Sequence, residues 1–406
     1  MTAASTREIP AVWIVETSGD TSAAASGEPV RAFGLSARQR LERTLARLDA
    51  QPTKVGPPQA LAAAGDPQTV IAFRDDCFYD ERLVAALFDT GDTLVCLPEA
   101  TGRPGEAVAA RTRPETRAAA VDALHHRSAP TGETSLPRTT PADLVPSYNP
   151  VLRKFDPAFV FRASADKARQ AEDRMFAASY KGITDFITKY AFPAPACAVV
   201  RVLARWGVRP NTVTGVSYAL TAAVIFAFAE GLFGLGLVLA WAMTFLDTVD
   251  GKLARVTLTS SRLGGFLDHA LDLVHPPIWW WAFAVGLGMG LPGVEAAMWI
   301  TVVGYGVGRA LEGIFLALFG MEMFTWRPFD AFFRGIIARR NPNLLLLSLG
   351  TVWGRPDWGY DAVALWTLIC IAVALARIGQ AVVARLRGET ILPWYERESP
   401  PPAGTA

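Results

Sequence analysis

The pattern of apolar and polar positions changes at Pro210. Before it, apolar stretches are short and broken by polar residues; after it they run long enough to cross a bilayer. Six spans are predicted there, at 211–229, 232–251, 262–289, 293–319, 341–357 and 361–386. The fifth is weak, because its apolar core, Leu344 to Trp353, falls short of the roughly 20 residues a span needs. Charge argues for keeping it. Lys and Arg gather at 201–209, 252–262, 327–340 and 385–387, while the alternate connections hold only Arg355. That alternation suits six spans with both termini in the cytoplasm. Just ahead of the first span, Pro195 to Trp206 is amphipathic, with Arg201 and Arg205 on its polar side, as in a helix lying in the interface.

Upstream, strand patterns at Ala11–Val15, Thr69–Phe73 and Thr93–Leu97 alternate with helical patterns at Ser36–Leu48 and Glu81–Phe88. Ser36 is the expected N-cap of the first helix. The alternation predicts a small soluble α/β domain over 1–105 with a parallel sheet. Residues 106–148 are rich in Ala, Pro, Thr, Arg and Gly and read as a linker, with one helix near Thr116–His125. Juxtamembrane and interfacial helices are expected over 149–207, the membrane domain over 208–390 and a disordered tail over 391–406. Lys181, Asp185 and Lys189 stand four apart, which on a helix puts them on one face.

Composition narrows the classes. The 406 residues carry a net charge of only +1, so nothing points to nucleic acid. Apolar residues make up 51%, high for a soluble protein. Cys77, Cys96, Cys197 and Cys370 have no metal-ligand spacing and read as free thiols.

The chemistry concentrates in DTVDGKLARVTLTSSRLGGFLDHALD, from Asp247 to Asp272. An unpaired acid in a span costs roughly 2.5–3.5 kcal/mol, so four acids at the edge of two adjacent spans need counter-charge. Lys252, Arg255 and Arg262 are too few and too loosely placed to supply it. Divalent cations would, because hard cations prefer oxygen ligands. With about 100° per helical residue, Asp247, Asp250 and Ala254 share one face, beside Gly251, which leaves room for a ligand. Gly264, Asp268 and Asp272 stand four apart and form a second line. The bland alternative is a set of solvated helix-end charges.

Those residues fit the pattern D-x2-D-G-x2-A-R-x8-G-x3-D-x3-D at Asp247, Asp250, Gly251, Ala254, Arg255, Gly264, Asp268 and Asp272. The membrane part therefore resembles the CDP-alcohol phosphatidyltransferase family. The resemblance implies a mainly α fold, a six-helix transmembrane bundle behind the α/β domain. It also implies metal-dependent transfer of a phospho-alcohol group from a CDP-alcohol to a hydroxyl acceptor, with release of CMP. By family position Asp247, Asp250, Asp268 and Asp272 would hold two Mg²⁺ or Mn²⁺ ions, with Asp268 and Asp272 catalytic and Asp272 an alternative general base. Gly251, Ala254, Arg255 and Gly264, with Asn211 and Thr214 at the start of the first span, would take the nucleotide. Arg262 and Arg309 are candidates for an anionic acceptor. Membrane lipid as partner, a homodimer and an inner-membrane site facing the cytoplasm complete what the family implies.

Other residues have simpler readings. His269 and the Trp279–Trp281 run read as packing or interface residues, His275 as a cap at a helix kink, and Arg334, Arg339 and Arg340 as positive anchors. Arg309 and Glu312, three apart, could pair. The first domain is weakly similar to sugar-phosphate nucleotidyltransferases through GLSARQRLERTL and VIAFRDDCFYDERLVAAL, where Asp76 could hold a metal. The place of a glycine-rich phosphate loop reads ETSGDTSAAASGEPVRAFG, with no G-x-G and no lysine. This implies a degenerate domain; an unrelated α/β domain fits as well. The donor is left between CDP-diacylglycerol and a soluble CDP-inositol-like nucleotide, and a transporter is the non-enzyme alternative. Acids gathered at one edge of two adjacent helices, not at the midplane, favour the enzyme.

Overall fold

The computed structural model describes residues 10–17, 29–62, 68–97, 105–126, 136–260 and 262–395; at 262–264, 266–272 and 292 only the backbone is described. The expected tail is therefore outside the described residues from 396 onward, as is most of the loop where a phosphate cradle would lie. The chain divides into two compact units. One is residues 1–179 with 204–207 and 256–258; the other is 180–203, 208–255 and 259–406.

The first unit is built on a six-stranded sheet. Its strands are β1 (Ala11–Val15), β2 (Pro52–Gly56), β3 (Val70–Arg74), β4 (Thr93–Cys96), β5 (Ala107–Thr112) and β6 (Arg138–Thr139), in the order β2-β1-β3-β5-β4-β6. β1 runs parallel to β2 and β3, but β5 is antiparallel to β3 and β4. The sheet is mixed, not parallel, because β5 comes from the stretch expected to be linker. Its AVAART is alanine-rich and lacks the β-branched run that marks a strand in sequence. The unit also extends past 148: Val160–Arg162 pairs antiparallel with Cys77–Tyr79.

β1 and β3 are buried along their whole length, so both sheet faces are covered. Val12 and Ile14 point to a core shared with helices α1 (Ala37–Arg47) and α2 (Glu81–Asp89). Trp13 and Val15 point to the opposite core, shared with α3 (Arg117–His126). α1 starts as expected at Ser36, whose hydroxyl accepts from Gln39 N while the Gln39 side chain returns to Ser36 N. Asp76, the metal candidate of this domain, has an arginine partner. Arg74 grips it from Nε and Nη2 at 2.9 and 2.8 Å, and both are buried. All four cysteines are buried and none forms a disulfide, and burial pushes the Cys77 thiol well up.

The second unit is helical. After α4 (Ala168–Ala178) of the first unit come α5 (Pro193–Arg205), α6 (Pro210–Ala229), α7 (Phe233–Val256), α8 (Arg262–Gly288), α9 (Pro292–Phe319), α10 (Pro328–Phe333), α11 (Arg340–Val352) and α12 (Pro356–Leu386). Among the described residues, α6, α7, α9 and α12 are long and apolar enough to cross a membrane. α8 has 27 residues, about 40 Å of helix at 1.5 Å per residue. α11, the expected fifth span, has 13 residues, about 20 Å, against the roughly 30 Å of a hydrocarbon core. The count of six spans is thus not established.

All six of these helices nevertheless enter one core. Val224 and Phe228 of α6, Met243 of α7, Trp279, Trp280 and Phe283 of α8, Met298 of α9, Leu344 of α11 and Tyr360 of α12 meet in it. Trp279 and Trp280 are fully buried, so they serve packing and not an interfacial belt; only Trp281 is exposed. His275 precedes the two prolines inside α8, Pro276 and Pro277. It is buried inside α8 with its ring 4.7 Å from that of Trp279. Small residues let backbones approach in this core. A Cβ on Gly286 of α8 would stand 2.0 Å from the Phe228 carbonyl oxygen, and one on Gly304 of α9 2.5 Å from Thr367 Cγ2 of α12.

Candidate functional site

α7 brings half of the signature to one place. Asp247 and Asp250 lie one helical turn apart, and each carboxylate is held by a side chain from another helix. Arg340, the first residue of α11, donates from Nη2 to Asp247 Oδ2 at 2.6 Å. Thr214 of α6 places Oγ1 2.6 Å from Asp250 Oδ2 and 3.2 Å from its own helix's Pro210 carbonyl. A hydroxyl has one proton, and the shorter contact, to a charged acceptor, takes it. Asp250 is 5% exposed and the Asp247 side chain 14%, so both acids are largely out of water.

Among the described residues, a Cβ on Gly251, next along the helix, would meet nothing within 4 Å. Ala254 is half-buried, Arg255 is exposed at the last turn of α7, and Asn211 is exposed in the first turn of α6. Arg262, Gly264, Asp268 and Asp272 lie on α8, and His269 with them, but their side chains are outside the described residues. Among the described residues no three His, Cys, Asp or Glu side chains converge. The two described donors are carboxylate oxygens, a donor set that suits a hard divalent cation.

Two readings of the sequence change here. Arg340 and Arg339 are not simple anchors: Arg340 meets Asp247, and Arg339 Nη2 reaches the Glu312 carboxylate. Glu312 also receives Arg309 Nη1 at 3.0 Å, so the predicted three-apart pair forms and gains a second guanidinium. Arg309, Glu312 and Arg339 line a small pocket with Gly304 and Gly308. Arg334 and Arg339 each lie 5.7 Å from the centre of the Phe324 ring, and burial with Arg339 beside it pulls the Arg334 guanidinium below the usual range.

Lys181, Asp185 and Lys189 do not share a helix face. Lys181 and Asp185 precede a single turn at Ile187–Ala191, and Asp185 caps that turn by accepting from Thr188 N at 2.9 Å. The same carboxylate oxygen accepts from Asn341 Nδ2 at 2.9 Å, and Phe186 N donates to the Gly335 carbonyl. Asn341 is buried and adjoins Arg340, so this turn fixes the end of α11 from which Arg340 reaches Asp247. Lys252 is buried too, with Nζ 3.6 Å from the centre of the Tyr180 ring. Asp185 stands in a segment that also resembles the Lys-Pro-x-Asp stretch ahead of the first span in some family members, whereas Arg340, Asn341 and Tyr180 carry no such sequence signal. The signal available was the demand for counter-charge at Asp247, met by an arginine 93 positions away.

The chain is similar to known proteins. The sequence model of the CDP-alcohol phosphatidyltransferase family matches residues 207–323. An archaetidylinositol phosphate synthase from Pyrococcus horikoshii is 32% identical over 182 residues, 43% of this chain and 86% of that protein. A phosphatidylinositol phosphate synthase from Streptomyces avermitilis is 40% identical over 74 residues, 18% of this chain and 30% of that one. Among solved structures, a Mycobacterium tuberculosis phosphatidylinositol phosphate synthase with CDP-DAG bound aligns at 21% identity and a TM-score of 0.36, covering 45% of this chain and 92% of its own. With the signature complete and the Pyrococcus enzyme matched over nearly its whole length, the chain belongs to the CDP-alcohol phosphatidyltransferase family.

Proposed function

We propose that this protein transfers a phosphatidyl-type group from a CDP-lipid such as CDP-diacylglycerol to a hydroxyl of an inositol phosphate, releasing CMP, in phospholipid synthesis. The observation that carries the reading is the unbroken signature from Asp247 to Asp272. The relatives' names supply the substrate class. A CDP-alcohol can carry either the lipid or the inositol half of such a product, and the lipid donor is the commoner arrangement in the family. This favours the lipid donor over a soluble CDP-inositol-like nucleotide.

In the transfer, the acceptor oxygen forms a bond to the lipid-bearing phosphorus. The bond from that phosphorus to the bridging oxygen breaks, and CMP leaves with the electron pair. Asp272 takes the acceptor's proton, or leaves that role to Asp268. When bound, Mg²⁺ or Mn²⁺ ions held by Asp247, Asp250, Asp268 and Asp272 supply charge neutralisation at the pyrophosphate. Thr214 orients Asp250, and Arg340 orients Asp247. Gly251 and Ala254 leave room for the nucleotide, flanked by Asn211, Arg255 and Gly264. Arg309 shares the Glu312 carboxylate with Arg339, and this surplus of guanidinium suits a phosphate on the acceptor; Arg262 is the second candidate. A six-span homodimer in the cell membrane, its site open to the cytoplasm and its first domain a degenerate nucleotidyltransferase, completes the proposal.

The test is CMP release from purified protein with Mn²⁺ or Mg²⁺. CDP-diacylglycerol and CDP-inositol are offered separately, each with a panel of hydroxyl acceptors. Release with the lipid donor and an inositol phosphate is expected; release with only the soluble donor overturns the lipid reading. Thr214→Val, which keeps the shape and removes the hydroxyl, is expected to slow that release by roughly tenfold, the scale of one hydrogen bond to a charged group.

A further inference from the structure

The far end of α12 carries charge that this transfer reaction does not use. Arg327, just before α10, and Arg387, just after α12, line a pocket of about 390 Å³ together with Gly379, Gln380, Val383 and Glu389. That volume is in the range of small-ligand sites. Both arginines are exposed, and among the described residues neither pairs with a carboxylate. Arg377, one turn inward, is different. Its Nε and Nη2 donate to Asp330 at 2.6 and 2.7 Å, so that arginine is already satisfied by the fold. Its Nη1 donates to Gln380 Oε1, which leaves the Gln380 amide group to donate into the pocket. Arg327 is held in place by the buried Trp326, 4.4 Å from its guanidinium to the ring centre.

The surroundings say what kind of anion fits. α12 is apolar enough to span a membrane, and the pocket lies at its end. Around the pocket Val383 is 44% exposed and Leu386 81%; on α10, Phe332 is 68% exposed. Exposed apolar side chains giving way to arginines mark the level where a bilayer's acyl chains meet its headgroups. Basic pockets at that level hold anionic lipid headgroups.

We propose that this pocket binds the headgroup of an anionic phospholipid of the surrounding membrane. The phosphodiester sits between the Arg327 and Arg387 guanidiniums, and the acyl chains run along Val383 and Leu386. Glu389, at the pocket's edge, accepts from a headgroup hydroxyl and disfavours a second phosphate.

The experiment uses the full chain in neutral detergent. Phosphatidylglycerol and phosphatidylcholine of the same acyl chains are titrated separately and the lipid adducts counted by native mass spectrometry. Phosphatidylglycerol is expected to bind about tenfold more tightly or better, the scale of two basic residues near a lipid surface. Arg327→Gln with Arg387→Gln brings the two lipids to near parity, and the matching lysine pair keeps the preference. Gly379→Leu, whose side chain enters open space and leaves both arginines in place, also abolishes it. Equal binding of both lipids to the wild type, or an unchanged preference in the glutamine pair, overturns the proposal. So does displacement of phosphatidylglycerol by millimolar inorganic phosphate, which assigns the pocket to a free phosphate instead.

Discussion

Asp268→Asn or Asp272→Asn lowers CMP release by at least about 10³-fold, within the range that acid–base groups contribute, while the protein stays folded in the membrane. Asparagine keeps the size of the side chain but removes the charge and the proton acceptor. A base lost at Asp272 leaves the acceptor hydroxyl protonated as it attacks. A charge lost at Asp268 leaves the pyrophosphate less neutralised. The two variants separate by metal dependence. A ligand loss is partly recovered by raising Mn²⁺, and a base loss is not. Elution of both variants at the wild-type volume in detergent, with an unchanged helical circular dichroism spectrum, confirms that folding is intact. Full activity in either variant sinks the site assignment.

Acids at the edge of a span do need partners, and the sequence names the acids by spacing. It does not name Arg340 or Thr214, because both come from other helices, and helical periodicity carries no information about which helices meet. Local logic failed in a similar way at Asp185. The four-residue spacing with Lys181 and Lys189 was real, but the carboxylate caps a short turn and holds Asn341 instead, since Asx side chains compete with helix backbone for N–H groups.

The first domain divides along the same line. β1, α1, β3, α2 and β4 were legible because each carries its own periodicity or cap. β5 was not. Its alanines have little β preference, and the strand exists because β3 and β4 both need a partner on that side.

The weak fifth span shows what the pattern could not carry. α11 is too short to cross a bilayer on composition, yet it is bound tightly to α12. Gly350 and Gly359 bring the two backbones together: a Cβ on Gly350 would stand 2.5 Å from Gly359 Cα and 2.8 Å from the Arg355 carbonyl oxygen. Those are backbone atoms, so no rotamer change can relieve the contact. Arg355 N also donates to the Gly350 carbonyl at 2.8 Å, closing the helical hairpin at that point. Gly350→Val must therefore part α11 from α12. The expected cost is about 3 kcal/mol or more, the upper end of overpacking in a core. It reads as a loss of detergent-solubilised melting temperature, with CMP release falling alongside. The activity falls because Arg340 and Asn341 stand at the other end of α11, and a displaced helix takes Arg340 away from Asp247. Gly354→Ala serves as the comparison. Its backbone is left-handed, at φ 72°, but nothing crowds the position, so it loses only the strain of about 1–2 kcal/mol and keeps its activity. Equal stability of Gly350→Val and wild type would mean that α11 is held by its apolar face alone and that the glycine contact is incidental.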